Sequence, residues 1–315
     1  MKILVTGALG QIGSELVDTL VNRYGSSNVI ATDKKNGKPD FACQFINLDV
    51  LKNKQVEKIV KANDINVIYH LAAVLSAVAE GDPDLAWQVN MQGLRNILNI
   101  ARKYNCSVFT PSSIGAFGPN TPKNKTPQDT IQRPTSIYGV TKVAGELLCD
   151  YYHCKYGVDT RGVRYPGIIS NKTLPGGGTT DYAVEIYYEA LKKQKYTCFL
   201  EKDTVLDMMY MPDAIEAAIK LMEVPADELV HRNAFNITAM SVSPQDFADS
   251  IRKFIPDFEI EYQVDRKRQK IADSWPNSLD DSAAREEWGW NSKYDLDTMT
   301  EDMLEKLSNK LEINY

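Results

Sequence analysis

A tyrosine and a lysine four residues apart, Tyr138 and Lys142, open a segment whose apolar positions Ala144, Leu147, Leu148 and Tyr151 recur at helical spacing. Residues four apart share a helix face, so this phenol and ammonium point into one site. Such a pair suits proton transfer. A free phenol loses its proton near pH 10, and bringing that loss to neutrality takes about 4 kcal/mol. One ammonium about 4 Å away, at an effective dielectric of about 20, supplies about 4 kcal/mol. A tyrosine and a lysine also meet by chance on ordinary amphipathic helices, so position must decide. Here the pair follows a strand-like run, Cys106–Thr110, and the serines Ser112 and Ser113.

A second set of residues binds rather than reacts. Gly7-Ala8-Leu9-Gly10-Gln11-Ile12-Gly13 stands between the apolar run Lys2–Thr6 and a helical pattern over Glu15–Asn22, which predicts strand, tight turn and helix. Side chains at the glycines would hold a dinucleotide's pyrophosphate off the N–H groups at the positive end of that helix. The spacing Gly-x-x-Gly-x-x-Gly departs from the commoner Gly-x-Gly-x-x-Gly. The next strand, Asn28–Thr32, leads into Asp33, where a carboxylate accepts from ribose hydroxyls and repels a phosphate. The sequence therefore predicts an NAD site at Gly7, Gly10, Gln11, Ile12, Gly13 and Asp33, with Lys34 and Lys35 as solvated loop charges.

The elements that must position both sets follow from periodicity. A strand at Gln44–Asn47, a helix at Asn53–Lys61, a strand at Val67–Leu71, a long helix at Asp82–Lys103 and the strand Cys106–Thr110 predict an α/β fold with a doubly wound parallel sheet. Ligands on such sheets bind beyond the carboxyl ends of the strands, where Asp49, His70, Leu71, Ala72, Ala73, Ser112 and Ser113 fall. Asp49 caps a helix or touches the adenine, and His70 is a packed histidine. After a sixth strand, Arg161–Tyr165, the alternation stops. Residues 1–168 are thus expected to form the dinucleotide-binding domain and residues 169–315 mainly a smaller substrate lobe, whose chain can cross back to the sheet. That lobe opens on Pro175–Tyr188, where glycines precede Thr179, Thr180 and Asp181 at the start of a helical stripe. These residues either cap the helix or offer N–H groups, hydroxyls and a carboxylate to a zwitterion.

Composition narrows the function classes. The 315 residues are 43% hydrophobic and 25% charged, which suits a globular enzyme-sized chain and not a disordered or fibrous one. A net charge of −6 with no basic run argues against nucleic acid or an anionic membrane as partner. The first strand begins at Lys2, leaving no room for a signal peptide, and no stretch is apolar enough to span a bilayer, so a cytoplasmic location is expected. The five cysteines and three histidines show no metal-ligand or disulfide spacing, and no metal is expected.

The segments TGALGQIG, HLAA, SSIGAFG, YGVTK and RYPG together resemble the extended short-chain dehydrogenase/reductase family. The resemblance implies a Rossmann sheet, NAD, and a triad of Ser113, Tyr138 and Lys142. It places Leu71, Ala72, Ala73, Asn90 and Tyr165 on the cofactor side, and Asn90 alternatively in a structural role. In that reading Tyr138 takes a substrate hydroxyl proton as hydride leaves the adjacent carbon, while Ser113 bonds the same oxygen. LSAVAE, GGGTTDYAVE, MMYMPDAI and IADSWPNSLDDS resemble the short-chain L-threonine 3-dehydrogenases within the family. This implies L-threonine as substrate, with Ser76, Gly178, Thr179 and Asp181 as contacts beside Ser113 and Tyr138. Kinship and the helices over Asp82–Lys103 and Tyr138–Tyr156 also imply a homodimer. Trp275, Trp288 and Trp290 are expected to pack in cores.

Two rivals share parts of this pattern. A nucleotide-sugar epimerase uses the same fold and the Tyr-x-x-x-Lys pair, but needs a diphosphate clamp that the Asp181 carboxylate would repel. In the related dehydratases an Asp-Glu pair follows the serine, where this chain has Ile114 and Gly115. A non-catalytic NAD-sensing protein has no use for a matched acid–base set.

Overall fold

The computed structural model describes residues 1–37, 39–173 and 178–313. Its centre is a sheet of six parallel strands. In chain order they are β1 (Ile3–Thr6), β2 (Val29–Asp33), β3 (Gln44–Asn47), β4 (Val67–His70), β5 (Ser107–Phe109) and β6 (Thr160–Arg161), arranged β3-β2-β1-β4-β5-β6. Every residue of β1 is buried, because helices cover both faces of a parallel sheet; that is why ILVT is a continuous apolar run ended by a threonine. The order reverses between β1 and β4, so a crevice opens beyond their carboxyl ends.

Two of these strands resume after short breaks. Ser112–Ser113 continues the line of β5 past Thr110-Pro111, and Val163–Tyr165 continues β6 past Gly162, with Ser113 opposite Tyr165. Proline has no N–H to give the ladder. Gly162 gives its N–H to Arg232 O instead, and Phe235–Asn236 adds a further parallel strand beside Val163–Tyr165.

The helices that matter for the site are α1 (Gln11–Tyr24), α2 (Asn53–Ala62), α3 (Ser76–Gly81), α4 (Pro83–Trp87), α5 (Leu94–Tyr104), α6 (Ile137–Tyr156), α7 (Tyr182–Lys193) and α8 (Met211–Glu223). The helix expected over Asp82–Lys103 is interrupted: Asp82 caps it through Leu85 N, and Gln88–Gly93 runs as a π-helical stretch between α4 and α5. Helix α3 carries no strong period in the sequence and escaped the sequence reading.

Residues after 168 serve two cores. One joins Tyr182, Tyr187, Phe247, Met303 and Leu304 beneath a three-stranded sheet of Gly167–Ile169, Leu206–Tyr210 and Met240–Val242. The other joins Leu16 and Val17 of α1 to Ala214 and Ile215 of α8, Phe235, Trp288 and Trp290. Trp275 packs, partly buried, at the edge of the lobe core.

The strand Leu206–Tyr210 buries a carboxylate where these parts meet. Asp207 is fully buried and accepts from Thr238 Oγ1, Ser241 Oγ and, at 3.0 Å, Leu279 N. Burial pushes its carboxyl up to about 7 in spite of those donors. A folded-state value raised above the unfolded one means that Asp207 favours folding below pH 4 and that this contribution is lost as pH rises to about 7. The wild type is expected to lose stability relative to Asp207→Asn by about 1.4 kcal/mol per pH unit between pH 5 and 7, and to lose no more above pH 8. Urea titrations of both proteins across that range check this; a constant difference contradicts it.

Candidate active site

The glycine loop after β1 is shaped first by the protein's own backbone. Gly7 has φ +72°, and a Cβ there would stand 2.7 Å from Ala72 N and 2.8 Å from the Leu71 carbonyl carbon. At Gly13 a Cβ would lie 2.2 Å from Gly7 O. Two of the three glycines are therefore demanded by strand, turn and helix packing, where the sequence reading assigned all three to cofactor approach. Gly10 is different: it is exposed, sits at the N-cap of α1 and leaves the helix end bare. The first N–H groups of a helix have no intrahelical acceptor, so Gln11, Ile12 and Gly13 offer donors at a positive dipole end. That cradle fits a pyrophosphate.

Asp33 stands at the end of β2 beside it. Its Oδ2 accepts from Leu9 N at 3.0 Å and its Oδ1 from Lys35 N at 2.8 Å, which orients the carboxylate and leaves lone pairs for ribose hydroxyls. Asp49 caps the following turn through Leu51 N at 3.0 Å and lies 3.8 Å from Lys34 Nζ. Lys34 thus has a partner, but an exposed one of small energetic weight.

The next strand end closes the loop from below. His70 Nδ1 meets Thr6 Oγ1 at 2.8 Å, and Leu71 N donates to Thr6 O, which holds Leu71 and Ala72 against Gly7. Burial, with the Lys142 charge adding to it, lowers His70 to about 3, so the imidazole is neutral and packs as expected. Two other residues named on the cofactor side have their side-chain polar atoms engaged by the protein itself, although Asn90 still lines the crevice beside Leu71, Ala72 and Ala73. Tyr165 donates its phenol to Ala214 O at 2.6 Å inside the core, leaving only its backbone for a cofactor. Asn90, in the π-helical stretch, bonds Val74 and Thr141.

Ser113, Tyr138 and Lys142 come together beyond the ends of β4 and β5. Ser113 Oγ accepts from Gly115 N at 3.1 Å. A Cβ at Gly115 would stand 3.2 Å from the Tyr138 ring and 3.5 Å from Ser113 Oγ, so the ring and the hydroxyl both border this glycine, which leaves them room to approach one site. Helix α6 begins here because Ser136 Oγ accepts from Gly139 N at 3.0 Å. Lys142 Nζ lies 5.4 Å from the Tyr138 ring centre and donates to Pro111 O at 2.7 Å, which anchors the ammonium beneath the phenol.

One turn further along α6, Glu146 takes a part that has no signal in the sequence. It is buried, pairs with Arg164 at 2.9 Å, and accepts from Gln132 Nε2 and Ser112 Oγ. Arg164 also donates to Gln128 O at 2.8 Å and Asn236 Oδ1 at 3.0 Å. The pair therefore ties the strand Val163–Tyr165 to the helix bearing Tyr138, and the Ser112 contact brings in the strand bearing Ser113. A buried ion pair is weak evidence of net stabilisation, yet losing one partner strands the other charge, so the register of these elements depends on both.

The residues expected on the substrate side lie on two segments. Ser76 begins α3 and is partly exposed. Thr179 is buried, and Thr180 packs on Gly167, where a Cβ would meet its Cγ2 at 3.0 Å. Asp181 stands at the start of α7 but makes no side-chain cap to that helix; its Oδ2 accepts from Gly178 N at 2.6 Å. Helix capping thus does not account for Asp181, because the carboxylate faces back toward Gly178. Pro175, Gly176 and Gly177 lie outside the described residues.

Among the described residues no three His, Cys, Asp or Glu side chains gather as a metal site, and no helix is long and apolar enough to cross a membrane. The five cysteines are free thiols.

Comparison with known proteins places these features. Residues 3–238 match the NAD dependent epimerase/dehydratase family. An uncharacterized epimerase/dehydratase of Staphylococcus saprophyticus is 53% identical over 98% of this chain and 98% of its own. The X-ray structure of L-threonine dehydrogenase from Clostridium difficile superposes with a TM-score of 0.97 at 62% identity, covering 98% of each chain. A monomeric L-threonine 3-dehydrogenase from a metagenome superposes at 0.94 with 47% identity, covering 98% of this chain and 99% of that one.

Proposed function

The chain belongs to the NAD-dependent epimerase/dehydratase family, and from that premise we propose that it oxidises the β-hydroxyl of L-threonine to give L-2-amino-3-oxobutanoate. The cofactor is NAD, which when bound supplies the hydride acceptor. The observation that carries the proposal is the convergence of Ser113 and Tyr138 across Gly115, with Lys142 fixed behind them.

In this reading Tyr138 accepts the hydroxyl proton, and Ser113 donates to the same oxygen and holds it in line. The Lys142 ammonium favours the charge that develops on the phenol. Thr179, Gly178 N–H and Ser76 receive the substrate carboxylate, and Asp181 receives its ammonium. The N–H groups of Gln11, Ile12 and Gly13 hold the pyrophosphate, Asp33 the adenosine ribose, and Asp49 the adenine edge. Asn90, Leu71, Ala72 and Ala73 shape the wall against which the cofactor lies.

NADH absorbance with L-threonine and with no substrate, each also run with NADP, together with chromatography of UDP-galactose incubated with the protein and NAD, tests the reading. Expected is turnover with L-threonine and NAD alone. Turnover of the sugar nucleotide, or equal use of NADP, contradicts the threonine assignment or the Asp33 assignment respectively.

A homodimer belongs to the same proposal. Trp87 of α4 is 50% exposed and Leu147 of α6 is 62% exposed, with Val140 and Tyr151 on the same stripe of α6. Pairing these two helices with their copies about a two-fold axis covers that apolar face as a four-helix bundle. The monomeric relative shows that kinship alone does not impose dimers. Light scattering is expected to give twice the 35.4 kDa chain mass, and to give the chain mass for Leu147→Glu; a wild type at chain mass overturns the dimer.

A further inference from the structure

We propose that Glu80 is a positioning residue, which fixes the substrate-side segment Val74–Glu80 onto the turn of α6 that carries Tyr138. The inference rests on the proposed threonine oxidation for its kinetic consequence, but the geometry stands apart from it.

Helix α3 has only six residues and little to bury. Ala79 is its buried member, while Leu75 and Val78 face solvent at 60% exposure. A helix this short does not persist on local bonding alone, so its place must come from ties to other elements. Two such ties are present, one at each end of the segment. At the far end, Glu80 Oε1 accepts from Ile137 N at 2.8 Å. Ile137 is the first residue of α6, and its N–H is one that no intrahelical carbonyl can satisfy. At the near end, Asn90 Oδ1 accepts from Val74 N at 2.8 Å while Asn90 Nδ2 donates to Val74 O at 3.1 Å and to Thr141 Oγ1 at 3.0 Å. Thr141 Oγ1 in turn donates to Tyr138 O at 2.8 Å.

The anchor points, Ile137 and Thr141, bracket Tyr138. Ser76 and Glu80 are four residues apart on α3 and share one of its faces, so the face fastened to α6 is also the face that carries Ser76. Releasing Glu80 removes the hydrogen bond that fastens α3 to the first turn of α6 and leaves Val74 and the packing of Ala79 to hold the segment, so Ser76 loses its fixed relation to Tyr138. The tie needs an acceptor oxygen and no charge, which a glutamine retains.

The test compares wild type, Glu80→Ala and Glu80→Gln by steady-state kinetics on L-threonine, NAD affinity, thermal midpoint and amide hydrogen exchange. Glu80→Ala is expected to raise KM roughly five- to twentyfold with a smaller change in kcat. Exchange of residues 74–81 and of the Ile137 amide should quicken about tenfold. NAD affinity should stay within about twofold, and Glu80→Gln should restore KM and exchange to within about twofold of wild type. A residue that only stabilises the fold would lower the midpoint and leave KM alone. Wild-type KM in Glu80→Ala, whatever its exchange, overturns the proposal, and so does a Glu80→Gln protein as impaired as Glu80→Ala. If the wild type does not turn over L-threonine, the functional reading has failed separately. Exchange then decides: faster in Glu80→Ala and restored in Glu80→Gln supports the latch, and unchanged exchange overturns it.

Discussion

Tyr138→Phe is expected to lower the rate of hydride transfer by at least a hundredfold while leaving NAD affinity within a few-fold. Removing a positioned acid or base typically costs a factor of about 100 to 10,000. The substitution deletes one oxygen and keeps the ring, so the packing against Gly115 and the 5.4 Å relation to Lys142 both survive. Gly10 and Asp33, which we propose for the cofactor, lie on other elements and are untouched. The loss should therefore fall on kcat and kcat/KM together, the pattern of an interaction made in the transition state. Stopped-flow NADH formation, beside NAD titration and a thermal midpoint, checks it. Substantial activity in a well-folded Tyr138→Phe protein removes Tyr138 as the base, and a collapse of NAD affinity assigns it to the cofactor instead.

Asp181→Asn carries the second large effect, a fall of roughly ten- to a hundredfold in kcat/KM for L-threonine. A charge-assisted hydrogen bond is worth about 1.5 to 3 kcal/mol, which sets that range. An asparagine keeps an oxygen able to accept from Gly178 N, so the local turn is preserved and the charge alone is removed. In the proposed reading the contact also orients the β-carbon, so kcat should fall as KM rises. The thermal midpoint should move little, because the carboxylate makes no helix cap whose loss would destabilise α7. Near-normal kinetics with a lowered midpoint would return this segment to a purely structural role.

Much of the molecule is legible in its sequence because the signals are local. Strand and helix periods follow from side-chain spacing along one segment, and KILVTG, NVIATD and the helix after YGVTK each declare themselves in that way. The glycine loop and the acidic end of β2 are likewise short-range patterns, so fold class and cofactor were within reach of the sequence. Tyr138 and Lys142 need only the pitch of one helix to share a face. What the sequence could not decide is which residues meet across elements. Gly115 permits Ser113 and Tyr138 to converge through a close approach between a strand end and a helix start. Glu146 and Arg164 find each other across a helix and a strand, and Glu80 meets the end of α6 from a helix too short to show a period. Gly7 and Gly13 look like ligand residues in the sequence, yet their tightest neighbours are Ala72 N and Gly7 O. Periodicity records how a segment presents its side chains, whereas burial and an unsatisfied N–H are properties of the packed chain, and only the tertiary structure supplies the partner.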